Sequence, residues 1–185
     1  MREYLKCRAC GYILDKEDAP EVCPACGVGS KAFEDYKYNI SEWRRIVMAI
    51  DIHPIILHVP QAISGLIPFF VLLSFFFYGT TTVKLLDAVE VLTYLLPLSV
   101  VAAFLTGLFD GYNRFRKLGT PALKSKMIRA AVLLGITCVM LYIVYSRGVE
   151  SSAAFLALLS VAALAVEVSL SRIGIKLMYA YMPGK

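Results

Sequence analysis

Histidine is nearly absent from this chain: the 185 residues hold two, His53 and His58, both in one short stretch. No Ser-His-Asp set, phosphate-binding glycine loop or paired catalytic carboxylates can be recognised, which argues against hydrolytic and phosphoryl-transfer chemistry. Charge is also scarce, at 18% of residues against 58% hydrophobic, and the mean hydropathy is +0.66. That balance argues against an ordinary soluble domain and favours a small module joined to a compact membrane bundle. No apolar stretch precedes a small-residue cleavage site between Met1 and Cys7, so no cleaved signal peptide is expected. The net charge of +5 gathers beside apolar segments, where lipid attraction and topology account for it, and nucleic-acid binding is not expected.

Of the five cysteines, Cys138 lies alone in an apolar run and is expected to be a small buried core residue. The other four form two C-x-x-C pairs, Cys7 with Cys10 and Cys23 with Cys26. This pattern suits a metal site in a reducing compartment better than disulfides. Each pair can aim two thiolates at one ion, so together they supply a closed tetrahedral sulfur site. Residues 1–38 are too few to build an adequate apolar core, so the metal is expected to supply much of the folding free energy. Tyr4, Tyr12, Ile13 and Phe33 are the candidates for what core there is.

Ligand type leaves both zinc and iron open. Gly11 and Tyr12 after the first pair, Ala19-Pro20-Glu21 before the second, Pro24 within it, and Phe33 beyond resemble the rubredoxin-like domain at the end of rubrerythrins, over residues 5–36. The resemblance implies one iron on Cys7, Cys10, Cys23 and Cys26, cycling between ferric and ferrous with little change in geometry, and it sets iron ahead of zinc. Rubrerythrins also carry a di-iron domain built on E-x-x-H pairs. This chain has no E-x-x-H, so their peroxidase activity is not carried over.

Residues 39–52, beginning at Asn39, predict a short interfacial linker helix. Ser41 is its N-cap, Trp43, Ile46, Val47 and Ile50 lie at helical spacing, and Arg44 and Arg45 lie on another face. Residues 53–185 then carry four apolar segments, at about 54–78, 85–109, 127–145 and 152–173, each near the ~20 residues needed to cross a bilayer. The fold expected is a rubredoxin-like metal-bound knuckle module followed by an all-α four-helix transmembrane bundle. Arg114, Arg116, Lys117, Lys124 and Lys126 between the second and third segments mark that loop as cytoplasmic. Arg44, Arg45, Arg172 and Lys176 agree. The chain is therefore placed in the cytoplasmic membrane as a multi-pass protein with both termini inside.

That topology puts His53, His58, Gln61, Thr106, Asp110, Arg129 and Glu167 in the inner half of the bilayer, where ionisable groups are costly and tend to have partners or a function. A structural account pairs Arg129 with Glu167 or Asp110 and has His53 cap the first helix ahead of Pro54. A functional account starts from imidazole, a ligand of heme iron. His53 and His58 lie about 140° apart around one helix, so they cannot grip one heme from opposite faces. One histidine alone, one histidine with another ligand type, or two copies across a homodimer axis would serve instead. A non-heme metal on His53, His58 and Glu167 or Asp110, or a quinone held by His58, Gln61 and Arg129, are further options. Pro60 and Pro68 are expected to free backbone carbonyls one turn earlier, and Gly65 and Gly107 to permit close helix approach.

His53-Pro54 with His58 and Pro60 opening the first span, and Thr106-Gly107-Leu108-Phe109-Asp110 closing the second, are similar to a family of small uncharacterised prokaryotic membrane proteins, over roughly residues 51–175. That resemblance implies a shared site without naming its ligand. The expected function is a membrane-anchored electron carrier, not assigned as an enzyme, that passes single electrons between a cytoplasmic Fe(Cys)4 centre and an inner-leaflet heme b. His58 is the preferred ligand of that heme and His53 the second. Its partners would be the lipid bilayer and redox proteins or quinone. The alternatives are a quinone-linked oxidoreductase without heme and a zinc-ribbon membrane protein that recruits a partner.

Overall fold

The computed structural model describes residues 3–37, 41–116 and 118–178. Asn39, Lys117 and the side chains of Arg45 and Lys176, used above for the linker and the charge asymmetry, lie outside the described residues. The chain divides into two compact units, one ending at Arg45 and one running from Ile46 to Met178.

The first unit is a three-stranded antiparallel sheet in the order β2-β1-β3, with β1 Tyr4–Cys7, β2 Ile13–Asp15 and β3 Phe33–Tyr36. Leu5 faces Leu14 on one side and Asp35 on the other. Lys16 ties the sheet's ends together through Glu3 at 3.0 Å and Asp35 at 2.9 Å. Tyr4 and Phe33 are half-buried, but Tyr12 and Ile13 are exposed, contrary to the core expected of them. The alternation of so short a sheet gives it two wet faces, and among its described residues only Cys7 and Cys23 are buried.

The helix α1 runs Glu42–Ile50 and presents Trp43, Ile46 and Ile50 outward, Trp43 at 74% exposure. The backbone then turns through Asp51 in a left-handed conformation (φ 50°), and Asp51 takes the N-cap position of α2, Ile52–Ser74. His53 therefore does not cap this helix, and Pro54 is its third residue, within the first turn. Three further helices follow: α3 Thr80–Phe115, α4 Pro121–Arg147 and α5 Ala153–Met178. Thr120 caps α4 by accepting from the Leu123 amide, with Pro121 preset at the first helical position.

Four helical stretches in this unit are long and apolar enough to cross a membrane. Each packs against two others, in the cyclic order α2-α3-α4-α5. The helix α2 ends at Ser74 rather than running on to Tyr78, because Phe75 and Phe76 close it with tightened bonds to the Leu72 and Leu73 carbonyls. The 36 residues of α3 span about 54 Å at ~1.5 Å per residue, well past a hydrocarbon core of ~30 Å.

The bundle interior mixes apolar side chains such as Ile67, Leu96, Met140 and Leu156 with buried Ser64, Thr93, Thr137, Ser160 and Glu167. Pro68 leaves the Ser64 carbonyl without its helical donor, and the Ser160 hydroxyl on α5 supplies one at 2.7 Å. Cys138 is exposed, so the expected buried position is corrected. A helix bathed in lipid turns apolar and small side chains outward at no cost, and apolarity alone does not mark its inner face.

Candidate metal centre and bundle cavity

Each cysteine pair is held by the same local turn. The Gly11 amide donates to the Cys7 carbonyl at 2.7 Å and the Cys7 amide to the Tyr12 carbonyl at 2.8 Å. Sixteen residues on, Gly27 donates to Cys23 at 2.8 Å and Cys23 to Val28 at 2.7 Å. Gly11 and Gly27 close these turns at φ +78° and +74°, a region glycine enters without a Cβ penalty. The first cysteine of each pair, Cys7 or Cys23, is buried; the second, Cys10 or Cys26, is exposed.

The four sulfurs lie within 4.8 Å of one another, with Cys7 to Cys26 at 3.8 Å and Cys10 to Cys23 at 3.7 Å. A metal–sulfur bond of ~2.3 Å places the corners of a regular tetrahedron ~3.8 Å apart. The donor set therefore fits one tetrahedral ion, iron or zinc. The thiols also compete for protons. At Cys10 a hydrogen bond from the Tyr12 backbone favours the thiolate, but partial desolvation and the sulfurs of Cys26, Cys23 and Cys7 outweigh it and push the pKa up to about 12. Desolvation opposes ionisation at Cys23, yet hydrogen bonds from the Cys26 and Ala25 backbone and from the Cys26 and Cys10 sulfurs bring it down to about 7. One sulfur is thus ready to ionise while a neighbour holds its proton, and a bound cation removes that conflict.

The second feature lies in the helical unit, where a cavity of about 450 Å³ is lined by all four helices. That volume falls within the ~300–1,000 Å³ of cofactor pockets. Five of the six expected site residues line it: His53, His58, Gln61, Asp110 and Glu167. Arg129 does not. It donates to the Ser169 carbonyl at 3.2 Å and pairs with neither Glu167 nor Asp110. Asp110 is instead held by Arg114, whose Nε reaches its two carboxylate oxygens at 2.8 and 2.9 Å. The same guanidinium donates to Asp51 at 2.6 Å and to the Met48 carbonyl at 3.3 Å.

The two imidazoles differ. His53 donates through Nδ1 to Thr106 Oγ1 at 3.3 Å, since that hydroxyl already gives its proton to the Ala102 and Ala103 carbonyls. Its ring lies flat against Gly107, where a Cβ would stand 2.9 Å from Cε1. The His53 Nε2 is enclosed with no hydrogen-bond partner. Gly65, by contrast, faces open space, so the close approach expected there is not made. His58 donates through Nδ1 to the Pro54 carbonyl at 2.7 Å. This fixes the neutral tautomer and leaves the Nε2 lone pair free on an exposed side chain that lines the cavity.

Gln61 donates to Ser171 at 3.1 Å, and Ser64 to Glu167 Oε1 at 3.1 Å, while Glu167 Oε2 has no partner. Among the described residues, the cysteine cluster is the only group of three or more metal-ligating side chains close enough to share an ion. The histidines and carboxylates of the cavity form no such group. The sequence reading left Lys126, Ser64 and Ser171 out of the site and did not find the Arg114–Asp51 pair. In the sequence Lys126 carries a signal only as a cation beside an apolar run, which speaks to topology.

Residues 6–34 match the rubredoxin-like domain of rubrerythrin. Over 38 residues the chain is 50% identical to reverse rubrerythrin-1 of Clostridium acetobutylicum, a match covering 20% of this chain and 21% of that protein. The chain thus spans about a fifth of the length of the curated relative it matches. No solved structure matches it. The N-terminal module is a rubredoxin-like domain with four cysteines positioned for metal, and the domain type points to an iron-based redox role.

Proposed function

We propose that the chain is a membrane-bound one-electron carrier in which a cytoplasmic Fe(Cys)4 centre exchanges electrons with heme b seated in the bundle cavity. Iron on four thiolates supplies a one-electron couple, and the backbone donors to the sulfurs tune it. The observation that carries the heme is His58. Its Nδ1–H is spent on a carbonyl and its Nε2 is free at the cavity wall, the arrangement that orients an imidazole toward a metal and strengthens it as a ligand. His53, clamped on Gly107 with its Nε2 enclosed, is the second candidate. Electrons would enter or leave through the module by way of a soluble redox protein.

A quinone in the cavity is the second reading. It is less well supported, because three of the donors near the cavity are engaged: Gln61 with Ser171, Arg129 with Ser169 and Arg114 with two aspartates. A structural zinc ribbon would use the same cysteine cluster and is separated by metal content.

The test is the visible spectrum of detergent-purified protein, oxidised and reduced, with iron, zinc and extractable heme measured on the same sample. Bleachable iron–thiolate bands together with a Soret band that His58→Ala removes are the expected result. Iron–thiolate bands alone would move the cavity to quinone. Stoichiometric zinc without either chromophore would end the electron-transfer reading.

A further inference from the structure

We infer that Lys126 anchors a carboxylate of the cavity's ligand, so that the porphyrin taken there is selected by its propionates; this rests on the heme reading above. Lys126 lies in the second turn of α4, is half-buried and lines the cavity. Its Nζ reaches toward α5, where a Cβ on Gly174 would stand 3.7 Å from it.

The cavity has three other charged side chains, and none meets this cation. Asp110, its electrostatic neighbour, is held through both oxygens by Arg114. Arg114 is itself committed to Asp110 and Asp51. Glu167 is bonded to Ser64 and lies two turns back along α5 from Gly174, about 10 Å away at ~1.5 Å per residue. Lys126 therefore has no hydrogen bond or ion pair among the described residues.

An ammonium half-buried against an apolar wall is costly unless a counter-charge or water reaches it. A neutral quinone head supplies no counter-charge; a porphyrin carrying two carboxylates does. The two cationic groups also sit together at one end of the cavity. Lys126 and Arg114 lie where α3 ends and α4 begins, whereas Val100 and Leu133 line the cavity farther along those helices, so an amphipathic ring would point its acid edge at Lys126.

The experiment titrates the heme-free full-length protein in detergent with ferric protoporphyrin IX and, separately, with its dimethyl ester, following the Soret band. The expected result is that the diester binds about tenfold or more weakly, the scale of one charge-assisted hydrogen bond. Lys126→Met should then bind the two porphyrins alike, while Lys126→Arg keeps the discrimination. Equal affinity in the natural protein overturns the Lys126 assignment and leaves the heme reading standing, and this comparison needs no variant to fold. Full discrimination retained in Lys126→Met also overturns it. Failure to bind either porphyrin overturns both.

Discussion

The two units solve the same problem, holding a polar site together, by opposite means. In the module the ligands come as pairs three residues apart, each fixed by its own turn, and no described side chain other than Cys7 and Cys23 is buried. In the helical unit the site draws on residues as distant as Gln61 and Ser171, and several of its polar groups are paired across helices by single hydroxyls, amides and a guanidinium. A site made of short-range turns depends on its ion for cohesion. One made of packed helices draws its cohesion from the side chains and hydrogen bonds between them.

The sharpest way to break the comparison is Cys23→Ser. It should abolish metal binding and unfold the module, read as loss of iron in elemental analysis, while far-UV circular dichroism keeps its helical amplitude. A simultaneous loss of helix would show that the units are not independent.

Acid should do the same reversibly. The Cys23 thiol, lowered to about 7, contributes stability above its ordinary value near 9 and loses it as pH falls toward 7, and thiolate ligation needs the same deprotonation. A chelator should therefore strip metal faster at pH 6 than at pH 9, with the helical signal unchanged.

Gly107→Ala would drive a methyl into the His53 ring. The expected cost is about 1–3 kcal/mol, as for overpacking elsewhere, seen as earlier thermal unfolding of the helices with the metal centre intact. Ser160→Ala leaves the Ser64 carbonyl behind Pro68 without its donor and should cost less, about 0.5–1.5 kcal/mol. Lys16→Met should leave metal retention at neutral pH unchanged, since an exposed ion pair contributes little. What Lys16 does add, through a pKa raised by Asp35 and Glu3, is present below its ordinary value of 10.5 and is lost as pH rises through that raised value.

The metal centre was legible in the sequence because C-x-x-C followed by glycine is a complete local instruction: turn, ligand pair and positive φ lie within five residues. Tyr12 and Ile13 misled because they look like core residues in a unit too thin to bury them. In the helices, length and apolarity were enough to mark all four spans, but not their faces. The interior is signed by small polar residues, Ser64, Thr93, Thr137 and Ser160, which in a soluble protein would read as surface. The partners of Asp110 and Arg129 depend on which helices meet at which depth. The i, i+4 pair of Asp110 with Arg114 was open to a closer reading, whereas the link from Arg114 to Asp51 needed the left-handed residue that brings α1 and α2 to that point.

The alternation of buried and exposed sulfurs gives the metal centre a direction. One edge of the tetrahedron, Cys7 to Cys23, is sealed by the polypeptide, and the other, Cys10 to Cys26, faces solvent. Any reagent that approaches from solvent meets the open edge first. Oxidants and alkylating reagents should therefore modify Cys10 and Cys26 before Cys7 and Cys23, and damage to the centre should begin on that side.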